Sequence, residues 1–384
     1  MKKNNIAIIV STLFMGLALL SCNNKSDEHI TLSGLNRENF RTVINGVETD
    51  LYTLQNSNGM EVCFSNHAAR IVSIMVPDCN NVMRDVVLGF DSIQGFVDLA
   101  TDFGATVGRY ANRIDQGKFT LDSVEYQLPC NNYGHCLHGG FNGFQTQVFE
   151  VKSVTDTTIT MYYRSTDGEE GFPGNVDCYV TYTLTSDNAI DITYSATTDK
   201  PTIINLANHA YFNLDGDASK PNSEYLFYIN ADGFTPVDET LMTSGEIRDV
   251  TGTPMDFRTP TTIGSRIDDN DEQLRYGGGY DHNWCLNTNG NIETLAARLT
   301  SPVTGIVLEV YTDQPGLQVY TGNFLDGSIK GKGDIPCQYR SAVVLETQKY
   351  PNSPNFSHWP SPVLRPGETY TARCIYKFSI NNKQ

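Results

Sequence analysis

IINLANHAYFNL, residues 203–214, alternates along most of its length. Successive side chains of an extended chain point to opposite sides. Ile204, Leu206, Ala210, Phe212 and Leu214 therefore share one face, and His209, Tyr211 and Asn213 share the other. A period of two predicts a strand with a core side and a polar side. Asn208 interrupts the apolar side, and a buried amide there needs hydrogen-bond partners. The polar face gathers an imidazole, a phenol and an amide, all able to bond hydroxyl groups.

Outward from this segment the same texture recurs. Runs rich in Val, Ile, Thr, Tyr and Phe occupy 149–154, 158–163, 176–184, 190–196, 306–312, 317–321, 342–347 and 369–380, separated by Gly, Pro, Asn and Asp. Helical periodicity is almost absent. Many short strands without an internal linker predict an all-β protein: one large antiparallel sandwich with few short helices, not two small domains. The long loops 215–225 and 264–280 are expected to line one rim, where a rigid scaffold often presents function.

The 384 residues include 32 Gly, 20 Tyr and 18 Phe and are 39% hydrophobic, enough for a large core. A formal charge of −17 and the absence of a Lys/Arg cluster exclude a nucleic-acid partner, which needs a basic footprint. Lys2 and Lys3 precede an apolar run, 6–20, and then Leu19-Leu20-Ser21-Cys22. That run is short for a membrane span and has the order of an export signal. Its end resembles the bacterial lipobox, in which the cysteine becomes the lipidated first residue. The expected organisation is a signal peptide at 1–21, a lipidated Cys22 and polar tether at 22–36, and one folded domain at 37–384. Such a protein would sit in the cell envelope, on the periplasmic side or the cell surface. Eight cysteines follow Cys22 at scattered spacing with no C-x-x-C pair, so mostly free thiols and no zinc site are expected.

Polar islands interrupt the strand-like runs. In AVVLETQ, 342–348, Val343 and Leu345 face one way while Val344, Glu346 and Gln348 face the other. Burial there would raise the Glu346 pKa; the plainer alternative is an idle charge at a strand end. GRYANRI, 108–114, carries Asn112 and Arg113, suited either to oxygen ligands or to a structural clamp. GHCLHGG, 134–140, carries His135 and His138, and a metal held there with Cys136 would lack a fourth ligand. Asp281 in GGGYDHNW follows a glycine run, where an Asx turn is the ordinary explanation. Gln318 in GLQVYTGN alternates with Leu317 and Val319 and shares a face with Tyr320. No P-loop, G-x-G-x-x-G, G-x-S-x-G or H-E-x-x-H is present, which removes the best support for nucleotide cofactors and common hydrolase chemistry.

Taken in order, GRYANRI, HCLHGG, NLANHAYFNL, YDHNW, PGLQVYTGNF and LETQKYPNSPN resemble the aldose 1-epimerases, or galactose mutarotases, as does LMTSGEIRDVTGTPMDFR at 241–258. The resemblance covers roughly residue 40 to the C-terminus and implies a large β-sandwich. It implies an isomerase that interconverts the α and β anomers of free aldoses such as galactose and glucose in hexose metabolism. By resemblance His209 matches the general acid and Glu346 the general base, while Asn112, Arg113, His138, Tyr211, Asp281 and Gln318 match sugar contacts. A monosaccharide partner, a membrane attachment through Cys22 and a monomer are expected. No cofactor is required and no catalytic metal is expected, although acidic loops could hold a structural Ca2+. The one departure within the motifs is Tyr110, where small or β-branched residues are common. Three rivals remain: a non-catalytic sugar-binding lipoprotein, which would lack His209 or Glu346; a sugar-phosphate epimerase, which would want added basic residues; and a glycosidase, which would use two carboxylates.

Overall fold

The computed structural model describes residues 30–99 and 101–381. The apolar run 6–20 and Cys22 lie outside them. Among the described residues no helix is long and apolar enough to cross a membrane.

The largest sheet has nine antiparallel strands. At its centre Val176–Leu184 pairs along its whole length with Ala189–Thr198, and Tyr370–Ile380 lies against the other side of Ala189–Thr198. Alternation decides which face is covered: Val176, Cys178, Val180, Tyr182 and Leu184 are buried while Tyr179 is exposed. The second layer joins two sheets. One has four strands, Leu51–Gln55, Glu61–Ser65, Arg70–Pro77 and Met83–Asp85. The other has six, in the order Tyr211–Phe212, Val343–Gln348, Gly316–Tyr320, Asp281–Leu286, Ala231–Thr235 and Arg248–Asp249. One hydrophobic cluster runs between the layers and draws on all three sheets. The result is the predicted all-β sandwich. Its α-helices among the described residues are two short ones, Ile93–Asp98 and Glu272–Gly277.

The six-stranded sheet sets the position of the site. Trp284, Leu317, Val319, Val343 and Leu345 point into the core, each fully buried. Each such aliphatic side chain contributes about 2 kcal/mol of burial. The opposite face carries Asp281, Gln318, Tyr320 and Glu346, and it too is covered, so every residue of these three strands is buried.

Residues 203–214 differ from the single strand expected. The chain makes three two-residue pairings with three partners, at Thr202–Ile203, Ala207–Asn208 and Tyr211–Phe212. The face assignment survives because extended backbone alternates whether or not it is continuously paired. Ile204, Leu206, Ala210, Phe212 and Leu214 all join the main core. Asn208 is buried and satisfied: its Nδ2 donates to the Gly104 carbonyl at 3.0 Å and its Oδ1 accepts from the Ala210 N–H at 3.1 Å. Asn213 donates to the carbonyls of Ser341 and Asp217, which makes it a structural brace.

Of the expected tether, 22–36, only residues 30–36 are described. Residues 30–36 fold onto the domain: the Leu32 N–H donates to Glu61 at 2.7 Å and Leu35 is buried beside Phe40. The eight cysteines after Cys22 are all free thiols, and only Cys79 and Cys130 are exposed. Tyr110 ties GRYANRI to YPNSPN, because its hydroxyl donates to the Tyr350 carbonyl at 2.9 Å and accepts from the Ser353 N–H at 3.1 Å.

Candidate active site

A cavity of about 430 Å³ opens on the covered outer face of the six-stranded sheet. His209, Glu346, Asn112, Arg113, His138, Tyr211, Asp281 and Gln318 all line it. Cross-strand register makes neighbours of distant residues: Gln318 stands opposite Glu346, and Asp281 opposite Tyr320. Gln318 Nε2 donates to Asp281 Oδ1 at 2.7 Å. His209 arrives from another direction. Its N–H donates to the Ala105 carbonyl at 2.8 Å and its own carbonyl accepts from the Gly104 N–H at 3.0 Å, which fixes its backbone. The result is a close approach of His209 Nε2 to Glu346 Oε1, 3.6 Å, with both side chains almost fully buried.

The facing wall comes from GRYANRI and GHCLHGG. Asn112 and His138 both take left-handed backbone, with φ of 67° and 51°. Asn112 and His138 exchange hydrogen bonds: the Asn112 N–H donates to His138 Nδ1 at 3.1 Å and the His138 N–H donates to the Asn112 carbonyl at 3.2 Å. Gly139 is required beside them, since a Cβ there would lie 2.1 Å from the Gly108 carbonyl oxygen. Arg113 Nε donates to Asn132 Oδ1 at 3.1 Å, leaving the rest of its planar fork toward the cavity.

An imidazole and a carboxylate in near contact, ringed by neutral and charged hydrogen-bonding groups, are suited to moving protons on a polyhydroxylated ring. The aldose 1-epimerase family model matches residues 50–377. The chain belongs to the aldose 1-epimerase family. Galactose mutarotase of Mus musculus is 41% identical over 324 residues, which cover 84% of this chain and 92% of the mouse protein. Aldose 1-epimerase of Escherichia coli is 39% identical over 330 residues, covering 85% and 94% respectively. Among solved structures, an aldose epimerase homologue from C. elegans superposes with a TM-score of 0.81 at 32% identity, covering 87% of this chain and all of that one.

In this epimerase burial dominates the electrostatics of the cavity. It lowers the His209 pKa to about 4. Glu346 is pushed well above the usual carboxylate range, first by burial and then by Asp281 and Asp102, with Arg113 opposing. Burial also raises Asp281, against Arg113 and its bond from Gln318. His138 is driven well below an ordinary imidazole by burial, His209 and Arg113. With its Nδ1 accepting from Asn112, neutral His138 carries its proton on Nε2 and is a donor to the cavity.

Asp102 has no counterpart in the expectations drawn from the sequence. Its carboxylate lines the cavity, and one ligand atom each from Asp102, His138 and His209 lie within 4.8 Å of one another. The set does not fit a metal: His138 has one ring nitrogen engaged and the other protonated, and two remaining donors are too few for a zinc-type site. Asn132, Tyr133, Tyr320 and Phe324 also line the cavity, with Tyr133 and Phe324 exposed at its mouth. The shared face of Tyr320 and Gln318 was the one available signal; a lone Asp102 or Tyr133 in a loop carries none.

His135 lies elsewhere. Its Nε2 meets Thr240 Oγ1 at 2.9 Å and its Nδ1 accepts from the Gln116 N–H at 3.0 Å, which is a structural role. Loops 215–225 and 264–280, expected at the rim, supply no residue to this cavity. Its rim comes from 101–113, 131–138 and 320–324 instead.

Proposed function

We propose that this epimerase opens and recloses the pyranose ring by proton exchange between Glu346 and His209. Glu346 as carboxylate removes the proton from the C1 hydroxyl while His209 as imidazolium delivers one to the ring oxygen, so the C1–ring oxygen bond breaks and an aldehyde forms. Rotation about C1–C2 presents the other carbonyl face. Closure with the protons returned gives the other anomer and restores both groups. The 3.6 Å approach of the two buried side chains supports these roles most directly. In the resting cavity burial disfavours both charges, so the pair holds one proton between them, and bound hydroxyls replace the solvation that the ion pair lacks.

Arg113, Asn112, Asp281, Gln318, Tyr211 and the His138 Nε2–H hold the hydroxyls. Free aldoses such as galactose and glucose are the substrates. A sugar phosphate is disfavoured because Asp102, Asp281 and Glu346 face a single Arg113 in the cavity. Neither nucleotide nor metal enters the chemistry. All the groups named come from one chain, so a monomer suffices. Freshly dissolved α-galactose and α-glucose should lose optical rotation faster with the protein than without it, and rates equal to the uncatalysed ones would remove the catalytic assignment.

The leader sequence supports a bacterial lipoprotein attached to the envelope through Cys22. Replacing Cys22 by Ser should move the protein from the membrane fraction to the soluble fraction; unchanged fractionation would sink the anchor.

A further inference from the structure

Asp102 is held more firmly than a loop residue requires. Arg70, fully buried, donates to the Phe103 carbonyl at 2.9 Å and reaches the Thr101 carbonyl at 3.5 Å, so the residues on either side of Asp102 are gripped from below. The same guanidinium donates to the carbonyls of His67 and Gln145 and lies 4.3 Å from the Phe96 ring centre, which fixes the clamp itself. The Ala105 N–H closes the turn onto the Asp102 carbonyl at 3.0 Å. Gly104 allows it, since a Cβ there would sit 1.8 Å from the Ile71 carbonyl oxygen. A rigid turn thus delivers to the cavity a carboxylate that accepts no hydrogen bond from the described residues and stands beside His138 and His209. An unpaired carboxylate in a half-buried site costs stability.

We propose that Asp102 is a positioning residue for the acid–base pair, its carboxylate supplying the standing negative charge that keeps the transferable proton on His209 and Glu346. This rests on the roles given to those two residues. The need is visible in what faces His209. Glu346 lies 3.6 Å away, but it loses its charge each time it takes the C1 hydroxyl proton. The His138 ring, 5.1 Å off, presents a donor, and the Tyr211 ring, 5.2 Å off, is neutral. Arg113 opposes a second positive charge, and Asp281 is engaged by Gln318 and Arg113. Asp102 is the remaining carboxylate at the cavity, and it takes no part in the proton transfer.

The sign of the effect follows. An anion beside the pair raises its affinity for the shared proton, so it moves the alkaline limb of the pH–rate profile upward. Burial, opposed by the buried Arg70 guanidinium, puts the Asp102 pKa at about 6, so the acid is ionised on the alkaline limb and neutral near pH 4, the value to which burial lowers His209. Only the alkaline limb should respond.

The test compares kcat/KM against pH by polarimetry for the wild type, Asp102→Asn, Asp102→Ser and Asp102→Glu, each first shown to be folded by circular dichroism melting. In the two neutral variants the alkaline limb should move about one unit toward acid, with the acid limb and KM little changed. Asp102→Glu should restore most of the shift. An unmoved limb in either folded neutral variant overturns the proposal. So does a raised KM with both limbs in place, which would make Asp102 a sugar contact. A wild type without catalysis would overturn the acid–base assignment itself, an outcome distinct from the other two.

Discussion

Two of the cavities among the described residues are nearly equal in size, one of about 430 Å³ over Glu346 and His209 and one of about 410 Å³ over Lys332 and Asp85. Both contain charged groups, yet they use them differently. In the second, Lys332 binds Asp85 and the Val72 carbonyl, Asp85 also accepts from the Ile74 N–H, Asp91 accepts from the Gly333 N–H, and Asp217 accepts from the Ser219 N–H. Its polar groups are committed to the fold. In the first, His209 Nδ1, Glu346 Oε2 and Gln318 Oε1 are buried without a partner among the described residues. Volume therefore does not distinguish a working cavity from a structural one; uncommitted hydrogen-bonding capacity does.

That contrast can be broken at either end. Glu346→Gln removes the proposed base while keeping the shape of its side chain, and kcat should fall about a thousandfold with KM nearly unchanged. Near-normal turnover by polarimetry would end the distinction between the cavities. The Asp102 substitutions come next, displacing a pH limb rather than abolishing the rate. Lys332→Met probes the other cavity. It should leave kcat/KM within about twofold while lowering stability by about 2 kcal/mol, since a half-buried Asp85 and the Val72 carbonyl lose their donor. A large loss of activity with an unchanged melting temperature would show that the second cavity also acts on substrate.

The sandwich was legible because alternation is a local property of extended chain. Val343–Gln348 and Gly316–Tyr320 differ in chemistry between their two faces, and this assigned Glu346 and Gln318 to one side correctly even though both sides are buried. Pairing partners are not local. Residues 203–214 therefore read as one strand, although Asn205 and Asn208 divert their amides to backbone groups and split the ladder. GRYANRI carries two arginines four residues apart, and sequence alone does not separate them by environment. Arg109 turns inward to Ser165, Thr202 and the carbonyls of Pro173 and Gly174, whereas Arg113 faces the cavity. Asp102 was invisible for another reason: its position depends on Arg70, a strand residue whose role appears only once the chain is folded.

Gly316–Tyr320, Asp281–Leu286 and Val343–Gln348 have no exposed position on either face. Substitutions there meet the core on one side or the reaction on the other, so these strands offer little ground for neutral drift. Even Gly316, at the start of its strand, is constrained, because a Cβ there would lie 2.4 Å from Asn283 Oδ1 and 3.1 Å from the Gln348 carbonyl oxygen. Diversification of sugar preference in a protein built this way falls to its turns. The exposed mouth positions Tyr133 and Phe324 can vary around a floor that cannot.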